Sequence, residues 1–214
     1  MTISTFDELK TAIQSWMLER SDLSAQVELF IELAEHDMQK KLRTWQMEGR
    51  ATIASTDFTS GRASLPTDFL KSRFLHPTST PGRKLIKVSP DALLDIHPTP
   101  HAGLAKHYSI QGDGAATPGL EIDVRPYPTN DLTLGYYKKI PALSVSQTTN
   151  WVLTEDPYCY LTGSLKYAAG WIRWGDDELK FASEFVGRMD LLNAVDQDAR
   201  WGNYSSSHQG TVRP

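Results

Sequence analysis

Asp22-Leu23-Ser24-Ala25-Gln26-Val27-Glu28-Leu29-Phe30-Ile31-Glu32-Leu33-Ala34-Glu35-His36-Asp37-Met38-Gln39-Lys40-Lys41-Leu42-Arg43-Thr44-Trp45 is the stretch from which the fold is read. Leu23, Val27, Phe30, Ile31, Ala34, Met38, Leu42 and Trp45 recur at three- and four-residue steps, which stacks them on one helix face. Asp22 is the expected cap before the stripe, and Gly49 is expected to end it. Such a helix would be roughly 39 Å long at 1.5 Å per residue. A helix that long with one narrow apolar stripe must lie against partners along its whole length.

Upstream, Thr5 and Glu8 have the spacing of a capping box. Phe6, Leu9, Ile13, Trp16 and Met17 then form a second apolar face. At the other end of the chain, Asp156-Pro157 places a cap before a proline at the first helical position. The inner face that follows is Tyr158, Leu161, Leu165, Ala168, Ala169 and Ile172. Gly175-Asp176-Asp177 breaks the run, and a last helix carries Leu179, Ala182, Phe185, Val186, Met189, Leu192 and Val195.

Between the two helical ends, prolines and short alternating runs rule out long helices. Strands are predicted at Ala63–Leu65, Ser72–Leu75, Lys84–Val88, His107–Ile110, Leu120–Arg125 and Leu132–Lys139, with a helical turn opened by Ser89-Pro90-Asp91. The Pro126–Asp131 link has turn chemistry, so the last two strands are expected to pair antiparallel. The predicted fold is therefore α+β: N- and C-terminal helices form a helical bundle, with an inserted antiparallel β domain. The expected divisions are 1–49 and 155–196 for the bundle, 50–154 for the β-rich insertion and 197–214 for an extended C-terminal arm.

The 214 residues are 40% apolar and 22% charged, ordinary for a folded globular protein. Net charge is −4, and Lys40-Lys41-Arg43 and Lys138-Lys139 are too short to form the basic stripe of a dedicated nucleic-acid binder. No apolar run is long enough to span a membrane, and the N-terminal residues lack the pattern of a secretory signal. The single cysteine, Cys159, excludes a disulfide within the chain and a cysteine-based metal site.

Motifs with catalytic potential read better as structure. Cys159 has no histidine near it in sequence and reads as a small buried filler. His97 and His101 have the spacing of a zinc-protease pair. Their spacer is Pro98-Thr99-Pro100, so no helix aligns them, and no acid follows His97. The glycine-rich run from Gly112 to Gly119 lacks the lysine of a phosphate loop. Asp176-Asp177-Glu178 suits the positive end of a helix. No catalytic, cofactor-binding or metal-ligating residue is therefore assigned. Of the six tryptophans, Trp16, Trp45 and Trp171 read as core. Trp201 stands with Arg200 and Tyr204 in a polar tail that cannot fold alone, and these three are the candidate anchors of a portal or subunit interface.

Several runs carry a family resemblance. They are Phe6-Asp7-Glu8-Leu9-Lys10 with Trp16, Arg20-Ser21-Asp22-Leu23, Phe30-Ile31-Glu32-Leu33-Ala34-Glu35 and Leu65-Pro66-Thr67-Asp68-Phe69-Leu70. Most telling is Tyr136-Tyr137-Lys138-Lys139-Ile140-Pro141-Ala142-Leu143-Ser144, followed by Thr149-Asn150-Trp151-Val152-Leu153, Asp156-Pro157-Tyr158, Leu161-Thr162-Gly163-Ser164-Leu165 and Gly175-Asp176-Asp177. In that order, from Phe6 to Val195, they resemble the head-to-tail adaptors of tailed bacteriophages, the tail tubular protein A-like family of short-tailed phages.

The resemblance implies a structural, non-enzymatic virion protein located in the neck and assembled in the host cytoplasm. It implies a homo-oligomer, a twelve-subunit ring, contacting the portal protein on one side and a tail nozzle or other tail protein on the other. Genomic DNA would pass through the ring without sequence-specific binding. It implies no cofactor. A different neck or tail-completion protein of the same particle, or a small hydrolase using Cys159 or the acids near Asp176, are the alternatives.

Overall fold

The computed structural model describes residues 3–17, 21–99, 101–114 and 119–201. It is a mixed α+β structure in which the principal strand pairings are antiparallel. The chain divides into two compact units, one built from residues 1–46 and 140–214 and the other from 47–139.

In the first unit, α1 (Phe6–Trp16) begins at the capping box expected from sequence, with both Thr5 and Glu8 bonds in place. A 3₁₀ segment, Ser21–Gln26, precedes α2 (Val27–Lys41). The second helix is thus shorter than the apolar stripe implied, and Gly49 is not its end. Its C-terminus is closed by tertiary contacts. The Arg43 N–H donates to Asn193 Oδ1 at 2.9 Å and the Trp45 N–H to Asp196 Oδ1 at 2.7 Å. The Asn193 amide also donates to the Lys41 carbonyl at 3.3 Å, one of the carbonyls that a helix C-terminus leaves without an intrahelical partner. The side chain of Asp22, the expected cap, lies outside the described residues.

The second unit opens with β1 (Glu48–Ile53), which sequence reading missed, and continues with β2 (Arg62–Ser64), β3 (Phe69–Pro77) and β4 (Ile86–Lys87). α3 (Pro90–Ile96) starts at Ser89, whose hydroxyl accepts the Ala92 N–H. Then come β5 (Ala102–Gly103), β6 (His107–Gly112), β7 (Leu120–Arg125), β8 (Tyr127–Pro128) and β9 (Leu132–Lys138). One sheet has the order β1-β9-β3, all antiparallel. A second has the order β2-β7-β6-β4, with β4 parallel to β6. The parallel pair β5-β8 is the third.

The expected hairpin of Leu120–Arg125 with Leu132–Lys139 is therefore corrected. β7 pairs with β6 and β2, and β9 pairs with β1 and β3. The link between them is not a tight turn, because β8 is itself paired and the Tyr127 N–H donates to the His101 carbonyl at 2.9 Å. The unit's core joins residues of both larger sheets, among them Leu75, Tyr108, Ile122, Val124, Leu132 and Leu134. Asp123 of β7 is buried as well and is met bidentately by Arg125 at 2.9 and 3.2 Å.

The chain returns to the helical unit at Ile140. α4 (Trp151–Glu155) is capped by Asn150, and α5 (Pro157–Trp171) by Asp156 with Pro157 in its first turn. α5 is the centre of this unit and packs against α1, α2, α4 and α6 (Gly175–Trp201). Sequence reading gave it one inner face. Cys159 is buried, as expected, and Tyr160, Thr162, Gly163 and Ser164 are buried too. Gly163 allows this crowding: a Cβ there would lie 2.7 Å from the Phe185 ring and 3.0 Å from the Ala34 methyl.

Three predictions follow the packing of the helical unit. Glu35 is buried, and its Oε1 accepts the Leu143 N–H at 2.8 Å and the Tyr160 hydroxyl at 2.9 Å. Asn150 donates to the same hydroxyl at 2.6 Å and to the Pro141 carbonyl at 2.8 Å. Tyr160→Phe removes the hub of this network and is expected to cost about 1–3 kcal/mol in a urea melt.

Burial pushes the Glu35 carboxyl above its ordinary 4.5; the Leu143 and Tyr160 donors partly offset this, and nearby Glu32 adds to it. The folded state then holds this proton more tightly than the unfolded state. The contribution to stability is complete below 4.5 and is lost as pH rises through the raised folded value. Glu35→Gln keeps the acceptor and should flatten that slope, read from unfolding free energies across an acid-to-neutral series. Gly163→Val should overpack the contact of α5 with α2 and α6, costing about 1–3 kcal/mol by the same denaturation assay.

Candidate functional site

α6 is anchored to the helical unit by one side. Phe185, Met189 and Asp196 are buried, at steps of four and seven residues. Asp190 pairs with Lys41 at 2.9 Å, and Asn193 both accepts from Arg43 and donates to the Lys41 carbonyl. The polar residues at the end of α6 thus hold the end of α2.

The rest of α6 departs from the expected inner face. Leu179 is 73% exposed, and Val186 and Val195 are exposed as well, although they are apolar residues of the same helix as the buried Phe185 and Met189. Leu179 and Val186 are seven apart and share one face; Leu191, also exposed, and Val195 are four apart and share another. A helix that is apolar on several sides while only one side is covered presents unpartnered surface.

The tryptophans correct a second expectation. Trp16, Trp45 and Trp171, read as core, are 49%, 58% and 59% exposed. Trp16 packs edge-on against Tyr158 and Phe181 at 6.4 and 6.3 Å, and Trp171 against Phe30 at 6.2 Å. Trp16, Met17, Leu165, Ile172, Trp174 and Phe181 line an open groove of about 250 Å³ with Asp177 at its edge. Aromatic side chains that are half covered by their own chain and line a groove are typical anchors of protein interfaces. A larger groove of about 630 Å³ lies between α2 and the Ala142–Ser146 loop, lined by Phe6, Glu28, Leu29, Glu32, Glu35 and Val145. Lys10 bridges Glu28 at 3.2 Å.

The tail triad is only partly placed. Arg200 pairs with Asp196 at 3.2 Å, Trp201 is the last residue of α6 with its side chain outside the described residues, and Tyr204 lies outside them altogether. Residues 197–201 are helical, so an extended arm does not begin at 197.

The groups with catalytic potential do not converge. Cys159 is buried 3.9 Å from Met38 Sδ, and burial pushes its thiol up to about 12, which leaves it protonated at neutral pH. Asp176, Asp177 and Glu178 occupy the first turn of α6. His97 and His101 are not on a helix together; His97 ends α3 and meets His107 instead. Among the described residues no group of three or more His, Cys, Asp or Glu is arranged to hold a metal ion, and no helix is long and apolar enough to cross a membrane. One signal was present in sequence: the apolar residues of α6 do not fall on a single stripe.

No curated protein matches the sequence. The family profile described as SU10 adaptor protein matches residues 4–212, nearly the whole chain, in accord with the resemblance to phage head-to-tail adaptors and with a surface of exposed aromatic and aliphatic side chains. The chain belongs to the SU10 adaptor protein family.

Proposed function

We propose that this adaptor is a structural, non-enzymatic component of a bacteriophage neck, where copies close into a ring that joins the portal vertex to the tail and extends the DNA channel. In this reading the helical unit is a bundle that meets neighbouring copies and the portal, and the β unit is an inserted module directed to the tail side. Twelve copies are the number that the family resemblance implies. The ring is assembled in the host cytoplasm and resides in the virion.

The observation that carries the reading is α6, with unlike apolar patches along its length. The Trp16, Trp174 and Phe181 groove lies by its first turns, and Leu191 and Val195 lie roughly 20–25 Å farther along at 1.5 Å per residue. A ring contact is heterologous: one patch meets a different patch on the next copy, and rotation closes the circle. Two separate apolar patches supply both halves of such a contact. Net charge of −4 suits a channel wall, since a wall without rings of Lys and Arg lets DNA slide.

The test is mass photometry and negative-stain imaging of the purified chain with and without the portal protein of the same particle. A closed ring on the portal is the expected result; a monomer with no portal complex overturns the reading. In the same assay Leu191→Glu with Val195→Glu should weaken assembly at least about tenfold while leaving the melting temperature nearly unchanged, because burying each aliphatic side chain contributes about 1.5–3 kcal/mol. Ending the chain after Trp201 should leave the melting temperature intact and weaken portal binding. Ending it before Asn193 should unfold the helical unit, since the Arg43 and Trp45 N–H groups lose their acceptors.

A further inference from the structure

α3 packs against β6, and the contact ends in a pair of imidazoles. His97, at the C-terminal end of α3, places Nε2 2.9 Å from Nδ1 of His107, the first residue of β6. The ring centroids are 5.1 Å apart, and the His101 ring lies 6.3 Å from that of His97. His101 Nδ1 faces the Thr99 carbonyl at 3.0 Å, an acceptor only, so Nδ1 carries a proton in this contact. His97 and His107 are half-buried and His101 is exposed, so solvent reaches all three.

Two neutral imidazoles this close share one N–H between two nitrogens. A cation fits to one side of this contact, about 1.5 Å off the line between the two nitrogens, once both lone pairs turn toward it. Nitrogens 2.9 Å apart, each about 2.1 Å from an ion, subtend roughly 90° at it. That is the cis angle of tetragonal or octahedral coordination, the geometry of Ni²⁺ and Cu²⁺; a tetrahedral zinc site would need the nitrogens about 3.4 Å apart. We propose that His97 and His107 form a binding site for one divalent transition-metal ion of tetragonal or octahedral preference, which rivets the end of α3 to β6. Water fills the remaining positions, and His101 is the nearest further imidazole.

The pair is suited to an ion at neutral pH. Burial, then His107, His101, Arg125 and Lys106, hold His97 below its ordinary value. Arg125 is already engaged by Asp123. Binding requires only that the imidazole donating the shared N–H move its proton to its other nitrogen, with no net change in charge on the protein.

The experiment is isothermal titration of the full chain with Ni²⁺ alone, together with thermal melts with and without Ni²⁺. Saturable binding and a raised melting temperature are expected, with affinity reduced at least about tenfold in both His97→Gln and His107→Gln. Glutamine preserves a hydrogen-bonding side chain at each position, and circular dichroism of the metal-free variants establishes that they are folded. His36→Gln, on α2, should bind as the unaltered chain does. Absence of Ni²⁺ binding, or binding that persists unchanged in both His97→Gln and His107→Gln, overturns the proposal.

Discussion

A buried carboxylate with no cation beside it must be met by hydrogen-bond donors, and the helical unit is arranged around that requirement at Glu35. One oxygen of Glu35 receives the Leu143 N–H, from the chain just returned from the β unit, and the Tyr160 hydroxyl, from the central helix. Asn150 then ties Tyr160 to the Pro141 carbonyl and caps α4 through the Leu153 N–H. A single acid on the N-terminal half of the chain thus fixes the position of a loop, a short helix and the longest buried side chain of α5. Without donors the desolvation cost of Glu35 would be several kcal/mol, so the network is a condition for the packing of α2 on α5.

Where local chemistry decided the structure, it was legible. The capping box at Thr5 and Glu8, the Ser89 and Asp156 caps, and the stripe from Val27 to Met38 all read directly from residue type and spacing. Alternation in Leu120–Arg125 located β7 but gave only the faces of its side chains, and nothing in that pattern names a neighbouring strand. The true partners, β2 and β6, are chosen by the shared core. β1 escaped because Glu48-Gly49-Arg50 carries no apolar alternation and takes its place from pairing with β9.

The end of α2 was misread for a related reason. Leu42 and Trp45 prolong the stripe, while Asn193, which binds the chain just past the end of α2, is 150 positions away. Of the candidate site, sequence offered the aromatic count and the tail triad but set the wrong tryptophans inside. Size and hydrophobicity are shared by core and interface residues, so Trp16, Trp45 and Trp171 are distinguished only by what their own chain leaves uncovered. The same ambiguity hid Leu179, Val186 and Val195, which share a helix with residues that are fully buried.

The dependence of α2 on Asn193 and Asp196 also orders events at the ribosome. Residues 47–139 are contiguous and emerge together, so the β unit has all of its strands while the C-terminal helices are still unmade. α1 and α2 are made before the β unit yet lack their central packing partner, α5, and the Asn193 and Asp196 acceptors beyond α2 until α6 has been added. For most of synthesis the nascent chain therefore carries a sheltered middle and a sticky leading segment. This is the condition in which chaperone holding has the greatest influence on yield.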